Sequence, residues 1–244
     1  MQGQPAIEHC LRYINSESLH LPPPTLFGRG ELPKLTITIS RQSGCGAREV
    51  AGHLARFLQE QTPSTPAWNV FDHDLVDKVL EDHHLPARFA RYMAEDGVFD
   101  LLDALDELLG AHPSFWTFVQ QTSETISQLA ELGNAILIGR GAHVVTSGRT
   151  HVFHVRLVSS LEKRVEHVRK IRSIGKEEAL AAIRREDRGR KRYLKKYFDK
   201  DIDDPLSYHL VVNTDSMCFE RVAYLIGEAA LKNFRVERKG ERNL

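Results

Sequence analysis

An α/β layered fold around a central, mainly parallel five-stranded sheet is what this sequence predicts, on three observations. Short β-branched runs alternate with helical periodicities along most of the chain. A glycine-rich turn joins the first strand to the first helix, and the stretches between strands are long enough to hold the crossover helices that parallel neighbours require. Leu35 to Ile39 alternates isoleucine with threonine, a density of β-branched residues that favours a strand. After the glycine turn, Val50, Leu54, Phe57 and Leu58 recur at helical spacing until Gln61, and Pro63 and Pro66 end the run.

The remaining strands are expected at Trp68 to Phe71, Ala135 to Ile138, Val152 to Val158 and Leu210 to Val212. Helices are expected at Asp74 to Leu80, Phe115 to Leu132 and Leu161 to Ile171, with two more starting at Lys176 and Phe219. Pro86 to Gly110 departs from the alternation and reads as a small helical insertion, about residues 84–112. Residues 6–15 carry a weak helical period through Ile7, Leu11 and Ile14, which Leu21-Pro22-Pro23-Pro24 breaks. The chain therefore divides into an N-terminal helical appendage and linker (1–33), an α/β domain (34–235) and a polar tail (236–244) expected to fray.

Lysine plus arginine and aspartate plus glutamate each number 33, so the formal net charge is zero. That balance argues against a nucleic-acid-coating protein, which carries a surplus of cations, and leaves room for a local basic site. Three cysteines without a C-x-x-C pair, no apolar run long enough to cross a bilayer and no secretion-type start give the expectation of a reduced, cytoplasmic setting without a membrane partner.

The stretch Ser40-Arg41-Gln42-Ser43-Gly44-Cys45-Gly46-Ala47-Arg48-Glu49 has the position and glycine spacing of a phosphate-binding loop. In the frame G-x-x-x-x-G-K-[ST], however, Arg41 stands at the first glycine, Gly46 at the second, Ala47 at the lysine and Arg48 at the hydroxyl residue. Successive backbone N–H groups at a helix N-terminus bind phosphate through aimed donors and the positive end of the helix dipole. Residues 41–48 are thus the candidate phosphate cradle, with Ser43 supplying a hydroxyl and Arg41 and Arg48 supplying charge from either end. The competing reading is a glycine turn with solvated arginines. Cys45, near a helix N-terminus, is expected either to have a lowered pKa and raised reactivity or to be a small loop residue with no chemistry.

A second basic cluster, Arg184-Arg185-Glu186-Asp187-Arg188-Gly189-Arg190-Lys191-Arg192, places Arg185, Arg188 and Arg192 on one helical face, able to present three guanidinium groups to one anion. Glu186 and Asp187 are positioned to hold some of these arginines in ion pairs; the plain alternative is a solvated helix face. Arg140, between two glycines at a strand end, and Asp72, at another strand end, lie where ligands of open α/β sheets bind. Asp72 is equally suited to cap a helix. Neither Asp72-His73-Asp74 nor Asp82-His83-His84 has transition-metal ligand spacing, so no metal ligand is assigned.

In order and spacing, ITISRQSGCGAREVA, VFDHDLVDKVL, ILIGRGAHVV and RREDRGRKR resemble the cytidylate kinase-like branch of the P-loop nucleoside monophosphate kinases, over about residues 35–230. The resemblance implies a three-layer kinase fold with a monophosphate-binding insertion and an arginine-rich lid at about 175–205. It also implies transfer of the γ-phosphate of ATP, with Mg²⁺, to CMP, dCMP or a related nucleoside monophosphate. By position, Arg41, Gln42, Ser43, Gly44, Cys45, Gly46, Ala47 and Arg48 would bind the donor. Arg48, Arg185, Arg188 and Arg192 would act in catalysis, and Asp72, Lys78 and Arg140 would bind the acceptor. The sequence departs from the family at Ala47, where a lysine is expected, at Gly189, where the lid aspartate would stand, and at Ile138 and Gly141, where acidic residues flank the glycine-arginine pair. The alternative is a catalytically weak nucleotide-binding or regulatory protein of the same fold. Residues 1–33 are the candidate segment for self-association or partner docking.

Overall fold

The computed structural model of the chain describes residues 34–62, 67–72 and 115–241. The appendage 1–33, the helix expected at Asp74 to Leu80, Lys78 and the insertion expected at about 84–112 lie outside the described residues. Strands β1 (Thr36–Arg41), β2 (Asn69–Phe71), β3 (Ala135–Ile138), β4 (Val152–Val158) and β5 (Leu210–Asn213) form a sheet in the order β2-β3-β1-β4-β5. Every pairing is parallel. Helices α1 (Ala47–Gln61), α2 (Phe115–Leu132), α3 (Ala142–Val145), α4 (Leu161–Arg172), α5 (Lys176–Phe198) and α6 (Phe219–Glu241) cover it, with a short 3₁₀ turn at Pro205–Ser207.

Because side chains alternate along a strand, the two faces of β1 and β4 carry different chemistry. Ile37 and Ile39 of β1 and Phe153, Val155 and Leu157 of β4 join Val50, Leu54 and Leu58 of α1 and Val222 and Ile226 of α6 in one apolar core. Each fully buried isoleucine there contributes about 2 kcal/mol. The opposite face is buried but polar: Thr36, Thr38 and Ser40 on β1, His154 and Arg156 on β4. Its hydroxyls are spoken for, Thr36 Oγ1 donating to the Ala130 carbonyl of α2 at 3.1 Å and Thr38 Oγ1 meeting His154 Nδ1 at 2.8 Å, as buried polar groups require. Toward the β2 edge this face becomes apolar again, Ala135 and Leu137 packing on Ile126 and Leu129 of α2.

One element was not expected: a four-residue helix, α3, follows the glycine-arginine stretch, where only a strand end was read. The last helix, expected to start at Phe219, runs through Glu241, in keeping with the strong helix propensity of Arg, Glu and Lys. With β1 central and β3 and β4 on opposite sides of it, the crevice at their carboxyl ends is a topological switch point, the place where open α/β sheets bind ligands. The loop between β1 and α1 opens into that crevice.

The turn into α1 depends on Gly46, which caps the helix in a left-handed conformation (φ 77°). A Cβ there would stand 2.2 Å from the Phe219 ring of α6. Gly46→Ala combines a left-handed penalty with a collision in the core and is expected to destabilise the protein by about 2–4 kcal/mol. Denaturant titration of the purified variant measures it.

Candidate functional site

The loop is fixed at both ends before any ligand is considered. Gln42 donates its amide to the Leu157 carbonyl (3.0 Å), and its side-chain oxygen accepts the Ser159 N–H (3.0 Å), tying the loop to the end of β4. Gly44 and Gly46 both have positive φ, and a Cβ on Gly44 would lie 2.8 Å from the Arg164 carbonyl, so α4 packs directly on the loop backbone. Among the described residues the amides of Gly44, Gly46 and Ala47 have no hydrogen-bond partner, which leaves donors aimed out of the N-terminus of α1.

The donors of Ser43 are occupied, and by carboxylates. Asp187 Oδ1 accepts the Ser43 N–H at 2.8 Å, and Glu186 Oε2 accepts the Ser43 hydroxyl. Three arginines hold these acids in place. Arg164 donates to Asp187 Oδ2 (2.6 Å) and to the Ser43 carbonyl (3.3 Å), Arg190 donates to Asp187 Oδ1 (2.8 Å), and Arg172 donates to Glu186 Oε1 (2.7 Å). Arg164, Glu186 and Arg190 are buried. Side-chain oxygens of α5 therefore sit where a phosphate oxygen would sit in an anion-binding loop, charge-compensated by guanidinium groups of α4 and α5.

The predicted site residues divide between those near this cluster and those elsewhere. Arg41 and Arg48 both approach Asp72: Arg48 donates through Nε and Nη2 to Asp72 Oδ2 at 3.0 and 2.7 Å, and Arg41 Nη2 lies 3.9 Å from Oδ1. Asp72 thus links both loop arginines to the end of β2. Arg140 is buried with φ 54° between Gly139 (81°) and Gly141 (70°), three successive left-handed residues that carry the chain from β3 into α3. Only the middle one bears a side chain, at a cost of about 1 kcal/mol. Ala47 is the first residue of α1. Lys78 lies outside the described residues.

Arg185, Arg188 and Arg192 share a face of α5, as their spacing implies, but it is the outward face. The inward stripe is set by Ala179, Ile183, Tyr193, Leu194 and Tyr197, which pack against α4, α2 and Ile202. Helical periodicity then turns Glu186, Asp187 and Arg190 toward the loop. Arg188 and Arg192 line an open, mainly basic hollow of about 560 Å³ together with Lys191, Lys195, Lys200 and the acidic Asp201. The residues the sequence reading missed are Arg164, Arg190 and Arg156. The last is buried in β4, donating to Ser40 Oγ (2.9 Å) and to Asp203 (2.6 Å). The apolar period of α5 was the signal for Arg190; nothing local singled out Arg156 or Arg164.

Two spaces flank the loop. Between Ser40, Arg41, Gly139 and Gly141 on one side and Arg190 and Tyr193 on the other, only about 10 Å³ is open, so α5 closes the crevice. Beside Gly44 and Cys45, a cavity of about 380 Å³ runs between α4 and the β5–α6 connection, lined by Lys163, His167, Met217 and Phe219. No group of three or more His, Cys, Asp or Glu side chains able to hold a metal occurs among the described residues, and no described helix is long and apolar enough to cross a membrane.

Of the two readings of Cys45, the reactive thiol is overturned and the small loop residue without chemistry agrees with the structure. Its side chain packs into the core beneath the loop rather than outward from the helix terminus. Burial pushes the thiol up to about 11, outweighing the opposing charges of Arg41, Arg190 and Arg164. Cys218 is exposed. Brief alkylation of the native protein at pH 8 is expected to modify Cys218 and spare Cys45, read by peptide mass spectrometry.

Burial alone would raise the Glu186 carboxyl, but hydrogen bonds from Arg172 and Ser43 and the charges of Arg172 and Arg190 leave it below its usual 4.5. A depressed folded-state pKa means that the contribution of Glu186 to stability is complete above that ordinary value and is lost as the pH falls through the lower folded one. Acid titration of wild type and Glu186→Gln is expected to converge in stability below that range and to diverge above it, as read by thermal melting.

Residues 36–216 match the family model described as the cytidylate kinase-like family. No protein of curated function matches the sequence. Among solved structures, an uncharacterized protein from Eubacterium ventriosum superposes with a TM-score of 0.59 at 15% identity, over 81% of this chain and 98% of its own. A shikimate kinase from Acinetobacter baumannii, solved with shikimate, gives 0.46 at 15% identity over 83% and 94%. The protein TT1252 from Thermus thermophilus gives 0.42 at 20% over 84% and 98%.

Proposed function

The chain belongs to the cytidylate kinase-like family, and from that premise and the loop geometry we propose that it is a phosphotransferase moving the γ-phosphate of ATP to a nucleoside monophosphate. CMP and dCMP are the first acceptors to test. The observation that carries the reading is the anion site already assembled at Ser43, with amide and hydroxyl donors satisfied by carboxylates and flanked by Arg164, Arg172 and Arg190.

In this reading α5 withdraws from the loop, and donor phosphates replace Glu186 and Asp187 on Ser43 and on the amides of Gly44, Gly46 and Ala47. Arg164, which stays with the loop on α4, exchanges the Asp187 carboxylate for phosphate oxygens and supplies positive charge that Ala47 does not, while Arg190 leaves with α5. The cavity beside Gly44 and Cys45 has the size to take the donor nucleoside. Arg140, Arg41 and Asp72 lie on the acceptor side. An acceptor phosphate oxygen then bonds to the γ-phosphorus as the bond to the β,γ-bridging oxygen breaks, releasing ADP. Ser43 Oγ, once released by Glu186, is the loop oxygen that would hold a Mg²⁺ arriving with the nucleotide, and the ion would supply neutralisation of phosphate charge.

A second reading, a nucleotide-binding or regulatory protein without turnover, is favoured by the same carboxylates, because they compete with nucleotide for the loop. An ADP-release assay across CMP, dCMP and UMP, combined with calorimetry for ATP, separates the two. Turnover with one acceptor is expected; binding without turnover selects the regulatory reading, and absence of both rejects the site. Asp187→Asn removes the competing charge while retaining an acceptor for Ser43. It is expected to tighten ATP binding on the order of tenfold and to lower thermal stability, since Arg164 and Arg190 lose their counterion.

A further inference from the structure

We propose that the closed crevice beneath α5 binds one monatomic anion at Arg190, with chloride the ion to test first. The enclosed space there is about 10 Å³, with Ser40, Arg41, Gly139, Gly141, Arg190 and Tyr193 among its lining. Such room suits a single particle close in size to a water molecule and excludes a phosphate or a carboxylate. The inference concerns the closed form of the crevice and does not depend on the protein being a kinase.

Arg190 is what distinguishes this space from a packing gap. The residue is 6% exposed, and its Nε is buried with no hydrogen-bond partner among the described residues. Its Nη2 donates to Asp187 Oδ1 at 2.8 Å, so that carboxylate is engaged through a different nitrogen. Leaving a buried donor of a charged group unpaired is costly, which makes an acceptor at Nε favourable.

The charges around it select the kind of acceptor. Arg164, Arg172 and Arg190 bring three positive charges to the cluster at Ser43, and Glu186 and Asp187 bring two negative ones. Glu186 is taken by Arg172 and Ser43, so Asp187 alone serves both buried guanidinium groups, Arg164 and Arg190. One positive charge is left over where water screens it poorly. Arg41 adds a guanidinium to the wall of the space, and no carboxylate lines it among the described residues.

A water molecule would meet Nε but leave the surplus charge, whereas a monatomic anion meets both. The space is walled by α5 on one side and by the end of β1 and the Gly139-Arg140-Gly141 turn on the other, so it exists only while α5 covers the crevice. An ion held there binds the closed form alone and stabilises it.

The test takes the full chain through two measurements. Thermal melting is followed in sodium chloride and in sodium gluconate at equal ionic strength, so that exposed ion pairs are screened alike. A saturable, chloride-specific rise of about 3 °C is expected. Arg190→Gln should abolish that rise, and Arg188→Gln, an exposed neighbour on the same helix, should keep it. Crystals of the wild-type chain grown in chloride and measured at long wavelength should show an anomalous peak between Arg190 and the Gly139-Arg140-Gly141 turn, a result that stands even where Arg190→Gln does not fold. A water without anomalous signal in that space, chloride confined to the exposed basic face of α5, or a melting rise equalled in gluconate or kept by Arg190→Gln overturns the proposal.

Discussion

The meeting of Asp187 and Glu186 with Ser43 is the contact on which the arrangement of this molecule turns. Two carboxylates at a helix N-terminal loop are a natural electrostatic match, but they come from a helix far along the chain and have to be carried there with their own counterions. Arg164 reaches the cluster from α4, whose backbone already lies against Gly44, and Arg172 reaches it from the end of the same helix. The loop, α4 and α5 are therefore one electrostatic unit. Buried ion pairs of this kind add little or no net stability relative to apolar packing, yet removing one partner is costly, because the survivor is left charged without water. Such a unit is complete only when all of its charges are present.

Ala47 stands at the start of α1 without a charge of its own. The guanidinium groups that hold the carboxylates at Ser43 belong to Arg164 and Arg172 of α4 and Arg190 of α5, so the positive charge of this unit comes from helices beside the loop and is already paired. Arg41 and Arg48, which the sequence places at the loop's ends, are instead drawn to Asp72 at the end of β2. They brace the loop against the edge of the sheet. Arg48 is 65% exposed, so its pair is worth about 1 kcal/mol or less.

The sheet and most helices were legible in the sequence because they follow from period and punctuation. Ile37 and Ile39 alternating with threonines, the run Ala135 to Ile138 and the apolar stripe of Phe115 to Leu132 each have one dominant reading. The site was legible at the loop and at the Gly139-Arg140-Gly141 turn, where glycine marks unusual backbone. It was less legible on α5. There, two helical periods compete, the arginines at 185, 188 and 192 and the apolar residues at 179, 183, 193, 194 and 197, and burial of the second decides which residues face in. Charge drew attention to the outward stripe while the inward one carried Glu186 and Arg190. Arg156 and Arg164 were hidden for another reason: their roles arise from the parallel register of β4 against β1 and from the packing of α4 on the loop, long-range relations that no local window contains. The reactive reading of Cys45 failed in the same way, because its burial depends on α6 closing beneath it.

The polar inner face of β1 and β4 bears on how such a closed crevice opens. Lifting a helix from an ordinary sheet surface uncovers aliphatic side chains, and water resists that in proportion to the area exposed. Here the strand surface next to Arg190 and Tyr193 presents Ser40 and, beside it, Arg156, with Thr38 and His154 deeper in the same face. Water entering beneath α5 finds groups it can hydrate. The resistance to opening then comes from the ion pairs at Ser43 and from the apolar stripe of α5 on α4 and α2, and only the first of these weakens with dissolved salt and competing anions.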